Sequence, residues 1–269
     1  MYAKDLGLVL ALALTASVAL PAAAITRGGV PDGGDHPYVG LMVAGFLDDD
    51  DNFLPAWRCS GSLISPTVYV TAGHCTSGAT AVEIWFDTSP QDYEGRLGYP
   101  FASEFSVSGT PYTHPDYVDE AFYLYDLGVV VLDEPVVLDE YASLPEVNQL
   151  DQLGKGRNRA GITAVGYGLQ GVVPETIADL TRYRADLFVV NATGFIGLRQ
   201  APGSGWFATS GDAKHGGTCF GDSGGPALIA GTHTIIGVTS FGLNANCAGV
   251  GGSYRIDREA DLEFIRSFL

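Results

Sequence analysis

The chain is written in short apolar runs separated by glycine-rich turns. Tyr38–Gly45, Trp57–Ile64, Val68–Ala72, Val82–Phe86, Glu104–Ser108 and Leu127–Leu132 follow one another in the first half. A second series repeats the style without repeating the sequence: Gly161–Gly166, Arg182–Val190, Gly205–Thr209, Pro226–Ala230, Thr234–Gly242 and Gly252–Arg255. Short runs bounded by turn residues are the mark of strands, and their number predicts sandwiches or barrels. Pro135–Gln152, between the two series, has mixed polarity and reads as a connector. One helical period appears, at the end, where Ala260, Leu262, Ile265, Phe268 and Leu269 share an apolar side and Asp257 is placed to cap it. The pattern alone predicts two all-β units and a terminal helix.

Composition agrees. Of 269 residues 46% are hydrophobic and 17% charged, enough apolar surface for a full core. A net charge of −17 argues against nucleic acid and anionic membranes as partners. The tract Asp48–Asp51 lacks the alternating ligands and glycine of a calcium loop and reads as a solvated hairpin tip. Residues 1–24 carry Lys4, an uncharged apolar run from Leu6 to Leu20, and then Pro21-Ala22-Ala23-Ala24. That is the pattern of a secretory signal peptide. The run is shorter than the about 20 residues that a membrane span needs, so export without a membrane anchor is expected. The cysteines Cys59, Cys75, Cys219 and Cys247 suit an oxidising compartment and allow several pairings. No Cys-x-x-Cys or His-x-x-x-His spacing occurs, and no metal site is expected.

The chemistry concentrates in Gly221-Asp222-Ser223-Gly224-Gly225-Pro226, read with Thr71-Ala72-Gly73-His74-Cys75 upstream. A serine hydroxyl becomes a good nucleophile only with a base in hydrogen-bond reach and donors for the charge that develops on the substrate. The glycines leave the backbone around Ser223 bare, so the N–H groups of Gly221 and Ser223 can both face a substrate oxygen. His74 is the candidate base. Gly-x-Ser-x-Gly also fits the α/β-hydrolases. That fold needs its acid and then its histidine after the serine, whereas His233 follows Ser223 by only ten residues and the helix–strand alternation is missing.

The two segments closely resemble the histidine and nucleophile motifs of chymotrypsin/trypsin-like (S1-type) serine proteases, and the resemblance runs from about Ile25 to the end. It implies an all-β fold of two six-stranded antiparallel β-barrels, a C-terminal α-helix, and an active site in the cleft between the barrels. After the signal, the first barrel is expected over about 25–140, the second over about 141–256 and the helix over about 257–268. Ser223 matches the nucleophile and His74 the general base. The acid should open a hydrophobic strand between them, which Asp126 does in Asp126-Leu127-Gly128-Val129-Val130-Val131-Leu132. Asp116 and Asp119 open no strand. His114 resembles a non-catalytic His-Pro-x-Tyr segment, and His36, His215 and His233 lie in no motif. The resemblance also implies the disulfides Cys59–Cys75 and Cys219–Cys247.

The specificity pocket is expected to have Gly217 as its floor, six residues before the nucleophile, with Thr218 beside it. Ser240-Phe241-Gly242 would form one wall, and Gly252, counted back from Tyr254, the other. No charge falls at these positions, so the pocket should be open and apolar, suited to Phe, Tyr, Leu or Met; Asp212 is the loop acid that could reach in. In this family a freed Ile terminus pairs with the Asp before the serine, here Ile25 with Asp222. Cleavage after Ala22-Ala23-Ala24 would expose that amine directly. The expectation is a secreted, monomeric serine endopeptidase acting on polypeptides through an acyl-enzyme, without cofactor, with protein protease inhibitors as further partners. The rivals are a non-catalytic binding protein on the same scaffold, which would normally have lost a triad residue, and an esterase. Asn191-Ala192-Thr193 is a glycosylation sequon.

Overall fold

The computed structural model describes residues 25–26, 28–89, 98–153, 159–192, 205–212 and 214–269. The signal segment, Arg27 and the sequon threonine Thr193 lie outside them. The chain opens with the two-residue strand β1 (Val30–Pro31) and continues with β2 (Val39–Leu47), β3 (Phe53–Leu63) and β4 (Val68–Thr71). A single helical turn, α1 (Gly73–Thr76), leads to β5 (Ala81–Trp85), β6 (Val107–Thr113) and β7 (Gly128–Leu132). These strands, β1 excepted, close an antiparallel barrel in the order β2-β3-β4-β7-β6-β5. After the turn α2 (Gln149–Gln152) come β8 (Gly161–Gly166), β9 (Tyr183–Asn191), β10 (Trp206–Thr209), β11 (Pro226–Ile229), β12 (Ile235–Gly242) and β13 (Gly251–Arg255). They form a second closed barrel, β8-β9-β10-β13-β12-β11, in which β8 also pairs with β9. The helix α3 (Glu259–Arg266) ends the chain. Among the described residues no helix is long and apolar enough to cross a membrane.

The period-2 reading is visible in β9, which buries Tyr183, Ala185, Leu187 and Val189 and turns Asp186, Phe188 and Val190 outward. Between β2 and β3 the acidic tract is a hairpin tip, closed by Asp48 Oδ1 accepting from the N–H groups of Asp50 (2.9 Å) and Asn52 (2.8 Å).

The structure departs from the sequence reading in three places. The strand expected at Glu104–Ser108 begins only at Val107, as β6, and runs on through Pro111. The bonds to β7 fall on Ser108 and His114, so Pro111 aims its missing N–H at the side that β5 leaves at Gly109. A proline costs no ladder bond there. The segment before β2, expected in the first barrel, belongs to the second: β1 pairs with β9, and Ile25 packs among Ile162, Leu187 and Phe207. Asp257 does not cap α3, whose N-cap position is Arg258 without a side-chain bond. Its carboxylate instead takes both Arg255 Nε (2.6 Å) and Nη2 (2.7 Å) and the Leu150 N–H (2.8 Å). The helix itself returns to the first barrel, where Phe268 meets Tyr112 and Phe264 meets His114.

The seam between the barrels is tied by Arg182, which is buried. Its Nε donates to Asp32 Oδ2 (2.9 Å), Nη1 to the Val39 carbonyl (3.0 Å) and the Tyr167 hydroxyl (3.3 Å), and Nη2 to the Gly33 carbonyl (2.9 Å). Burial opposes the charge on Asp32, yet His36 and Arg182 together hold its carboxyl below the usual range. Replacing Arg182 by Ala leaves that carboxylate buried and half-paired, a loss of about 3–5 kcal/mol. Urea denaturation at pH 7 should show it as a fall in the unfolding midpoint.

Candidate active site

His74 lies on α1, directly after β4, and its neighbour Cys75 is bonded to Cys59 on β3. Asp126 lies two residues before β7 and is fully buried. Because β4 and β7 are paired, with Thr71 opposite Gly128, the two side chains meet. His74 Nδ1 is 3.0 Å from Asp126 Oδ2 and 3.1 Å from Oδ1, and the His74 backbone N–H donates to Oδ1 at 2.8 Å. Ser240 Oγ donates to Oδ2 at 2.5 Å. Burial favours the neutral His74 ring, but the charge and hydrogen bond of Asp126, with the charge of Asp119, outweigh it and raise the pKa above 6.5. Asp119, considered above as an alternative acid, acts on the ring through its field alone. His114 is stacked on Tyr125 behind Asp126, and burial lowers its pKa.

Ser223 comes from the other barrel, on the turn before β11. Its carbonyl accepts the Ser60 N–H (2.7 Å), while Ser60 Oγ donates to the Gly221 carbonyl (2.8 Å) and accepts from the Tyr167 N–H (3.1 Å). Nothing local marks Ser60 for this work, since all its partners here are more than 100 residues away. The N–H groups of Asp222, Gly224 and Gly225 are bonded to Cys219, Thr239 and Asp222 carbonyls. Among the described residues those of Gly221 and Ser223 have no protein acceptor. Gly221 has φ +96°, a conformation that glycine adopts freely. No hydrogen bond joins Ser223 Oγ to His74 here; such contacts commonly tighten only around a substrate.

Ser223 borders a cavity of about 460 Å³ lined by Thr218, Cys219, Phe220, Ser240, Phe241 and Gly242, with Leu243 to Ala245 and Cys247 beyond. No lining residue is charged. Asp212 is elsewhere, exposed on a neighbouring loop and bonded to His215 Nδ1 (2.9 Å). Two expected pocket residues are displaced. Gly217 does not line the cavity: its backbone carbonyl takes the Thr26 N–H (2.8 Å), and a side chain there would point at Gly211, 3.2 Å away. Gly252 lies under the Phe241 ring, where a β-carbon would sit 2.5 Å from the ring. It is Gly251 that faces Thr218, with its missing β-carbon 3.0 Å from Thr218 Oγ1. Alternate residues of β13 face opposite ways, so the two glycines meet different neighbours. Tyr254 turns inward instead and donates to the buried Asp261 (3.1 Å), whose carboxyl burial pushes up to about 7.

Asp222 is buried beneath the serine turn. Its Oδ1 accepts from the Gly168 N–H and its Oδ2 from the Cys219 N–H, both at 2.8 Å. Burial outweighs these bonds and the more distant charge of Arg58, and raises its pKa to about 6. The second disulfide, Cys219–Cys247, closes the loop around this turn.

A sequence profile described as Trypsin matches residues 33–257. The chain belongs to the trypsin family. It is 25% identical over 187 residues to a chymotrypsin of Phaedon cochleariae, a match spanning 70% of this chain and 64% of that protein, less than two thirds of its length. It is 26% identical over 228 residues to a trypsin of Saccharopolyspora erythraea, covering 82% of this chain and 87% of that one. The solved structure titled HL collagenase superposes with a TM-score of 0.65 at 19% identity, covering 90% of this chain and 96% of that one, a likeness of fold.

The raised His74 pKa has a sign that can be checked. Asp126 favours the charged ring, so the stability it contributes is complete below pH 6.5 and is lost as pH rises through the higher folded value. In this trypsin-family chain, Asp126→Asn should bring the His74 titration, followed by NMR, to a lower pH than in the parent protein. Asp119→Asn should move it the same way by a smaller amount.

Proposed function

We propose that this trypsin-family chain is a secreted serine endopeptidase that cleaves polypeptides through an acyl-enzyme. The observation that carries the reading is a buried carboxylate holding His74 through Nδ1, with Ser223 at the lip of an uncharged cavity beside two unbonded N–H groups. His74 Nε2 takes the Ser223 proton as Oγ attacks the carbonyl carbon. Asp126 keeps the ring in the tautomer that leaves Nε2 free and stabilises its charged form. The Gly221 and Ser223 N–H groups receive the oxyanion, each contributing about 3 kcal/mol to the transition state. His74 then protonates the leaving amine, and water, activated by the same base, hydrolyses the ester. The apolar run before Ile25 and the two disulfides support export. Protein inhibitors that present a substrate-like loop would be further partners, and a monomer suffices for every step.

The cavity wall favours Phe, Tyr, Leu or Met on the acyl side of the cut, since burying a large apolar side chain contributes about 2–3 kcal/mol. Ser223→Ala should lower kcat/KM by roughly 10⁵-fold with the fold intact, and adding His74→Ala should cost little more, because the two act as a unit. A fluorophosphonate should label Ser223 in the parent protein, as read by peptide mapping. A substrate library cut mainly after Arg or Lys, or a Ser223→Ala protein that still digests casein, would sink this reading.

The same reading includes activation at Ile25. Without a counter-charge, holding Asp222 ionised at pH 7 costs the fold about 3 kcal/mol of stability, given a pKa raised from 3.8 to about 6. A free Ile25 amine supplies that charge. Support comes from Ile25 being fully buried, and from Thr26, bonded to the Gly217 carbonyl, lying close to the Cys219 turn. Ile25 also has φ +49°, rare for a β-branched residue, and cutting the bond before it abolishes that torsion. Terminal sequencing of the secreted protein should give Ile25. A form with one added Ala should lose activity, and its stability should fall as pH rises from about 4 to 6, where the Asp222 proton is lost.

A further inference from the structure

We propose that Arg58 is an anion-recognising subsite for the leaving half of the substrate, pairing with an Asp or Glu carboxylate in the first two residues beyond the scissile bond. The inference rests on the endopeptidase reading of Ser223 and adds a preference that the uncharged cavity does not supply. Arg58 lies on β3, one residue before the disulfide cysteine Cys59 and two before Ser60. Its side chain is half-buried, and among the described residues it makes no ion pair and no hydrogen bond; Asp222 feels its charge from a distance only. In a chain of net charge −17, an arginine without an ion pair beside the serine turn stands out.

Its placement is defined by the oxyanion turn. A β-carbon built on Gly221 would lie 3.0 Å from Arg58 Nε and 3.1 Å from Nη2, with Gly168 Cα also at 3.1 Å. The guanidinium therefore rests against the outer side of the glycine whose N–H faces the substrate oxygen. Ser60, bonded to both Gly221 and Ser223, keeps β3 and this turn in register. Arg58 does not line the cavity that would take the acyl side chain. A polypeptide with that side chain in the cavity and its carbonyl oxygen on Gly221 and Ser223 carries its leaving residues away from the cavity, toward β3. An extended chain advances about 3.4 Å per residue, so the first two leaving residues cover about 7 Å, within reach of an arginine side chain. The neighbouring Asp222 feels this cation only through its field: both its oxygens are bonded to backbone N–H groups, and no ion pair joins it to Arg58. A planar guanidinium with free N–H groups is matched to a carboxylate, which can take two of them at once.

The test uses the mature secreted enzyme and peptides sharing one acyl half, with Glu, Gln or Lys at each of the first two positions beyond the cut. An anilide of the same acyl half, with no residue beyond the cut, is the reference. The parent enzyme should prefer Glu to Gln by about tenfold in kcat/KM at one of these positions, and less in 1 M salt, where exposed pairs are screened. Arg58→Gln should erase the preference, Arg58→Glu should turn it toward Lys, and Arg58→Lys should keep part of it. The anilide, which offers Arg58 nothing to hold, should change no more than about twofold in Arg58→Gln. A parent enzyme indifferent to Glu, or variants that lose anilide and peptide cleavage in equal proportion, would overturn the proposal; the second result makes Arg58 a positioning residue for the Gly221 turn. A protein inert on the anilide and on every peptide overturns the endopeptidase reading itself, and this proposal with it.

Discussion

The site depends on one close approach. At Gly224 the serine turn of the second barrel lies directly on β3 and β4 of the first: a β-carbon there would sit 2.0 Å from Thr71 Oγ1 and 2.4 Å from the Ser60 carbonyl oxygen. With φ +77° the position also suits glycine alone among the common residues. This contact places the serine turn against the strand that ends three residues before His74. Any side chain at Gly224 would push the two barrels' contributions apart, and reacting groups lose much of their effect with a displacement of about 1 Å.

Around that contact, two buried carboxylates are treated differently. Asp126 is surrounded by donors: the His74 N–H and ring, and the Ser240 hydroxyl. Its charge is spent on orienting one imidazole and raising its basicity. Asp222 has two backbone donors and no cation within bonding distance, and its ionisation is correspondingly resisted. One carboxylate completes its environment within the fold. The other is left short by one positive charge, which a new chain terminus can bring.

The cleft is asymmetric as well. On the cavity side of the Gly221 turn, every lining residue is uncharged. Against the Gly221 turn also lies Arg58, a cation that makes no ion pair among the described residues. Under the proposed reading, apolar burial and charge recognition would fall to different halves of a bound polypeptide, on either side of a single glycine.

How much of this was legible depends on the range of the physics involved. The alternating apolar runs, the bare backbone of Gly221–Gly225 and the histidine beside a cysteine are local features, so the all-β fold and the candidate Ser223 and His74 could be read from the chain alone. The strand opened near Asp126 was legible for the same reason. Three features required the folded chain. Gly252 lies under the Phe241 ring while its neighbour Gly251 faces Thr218, because facing in a strand changes with every residue and no count along the chain shows which ring covers which face. β6 runs through Pro111 because its pairing with β5 ends at Gly109, a fact of pairing that no local pattern contains. Ser60, Arg182 and Arg58 carry no motif, since their partners are contributed by strands and turns distant in sequence. Periodicity and glycine reveal what a segment can form; which segments touch is decided by barrel closure and by the packing of one barrel on the other.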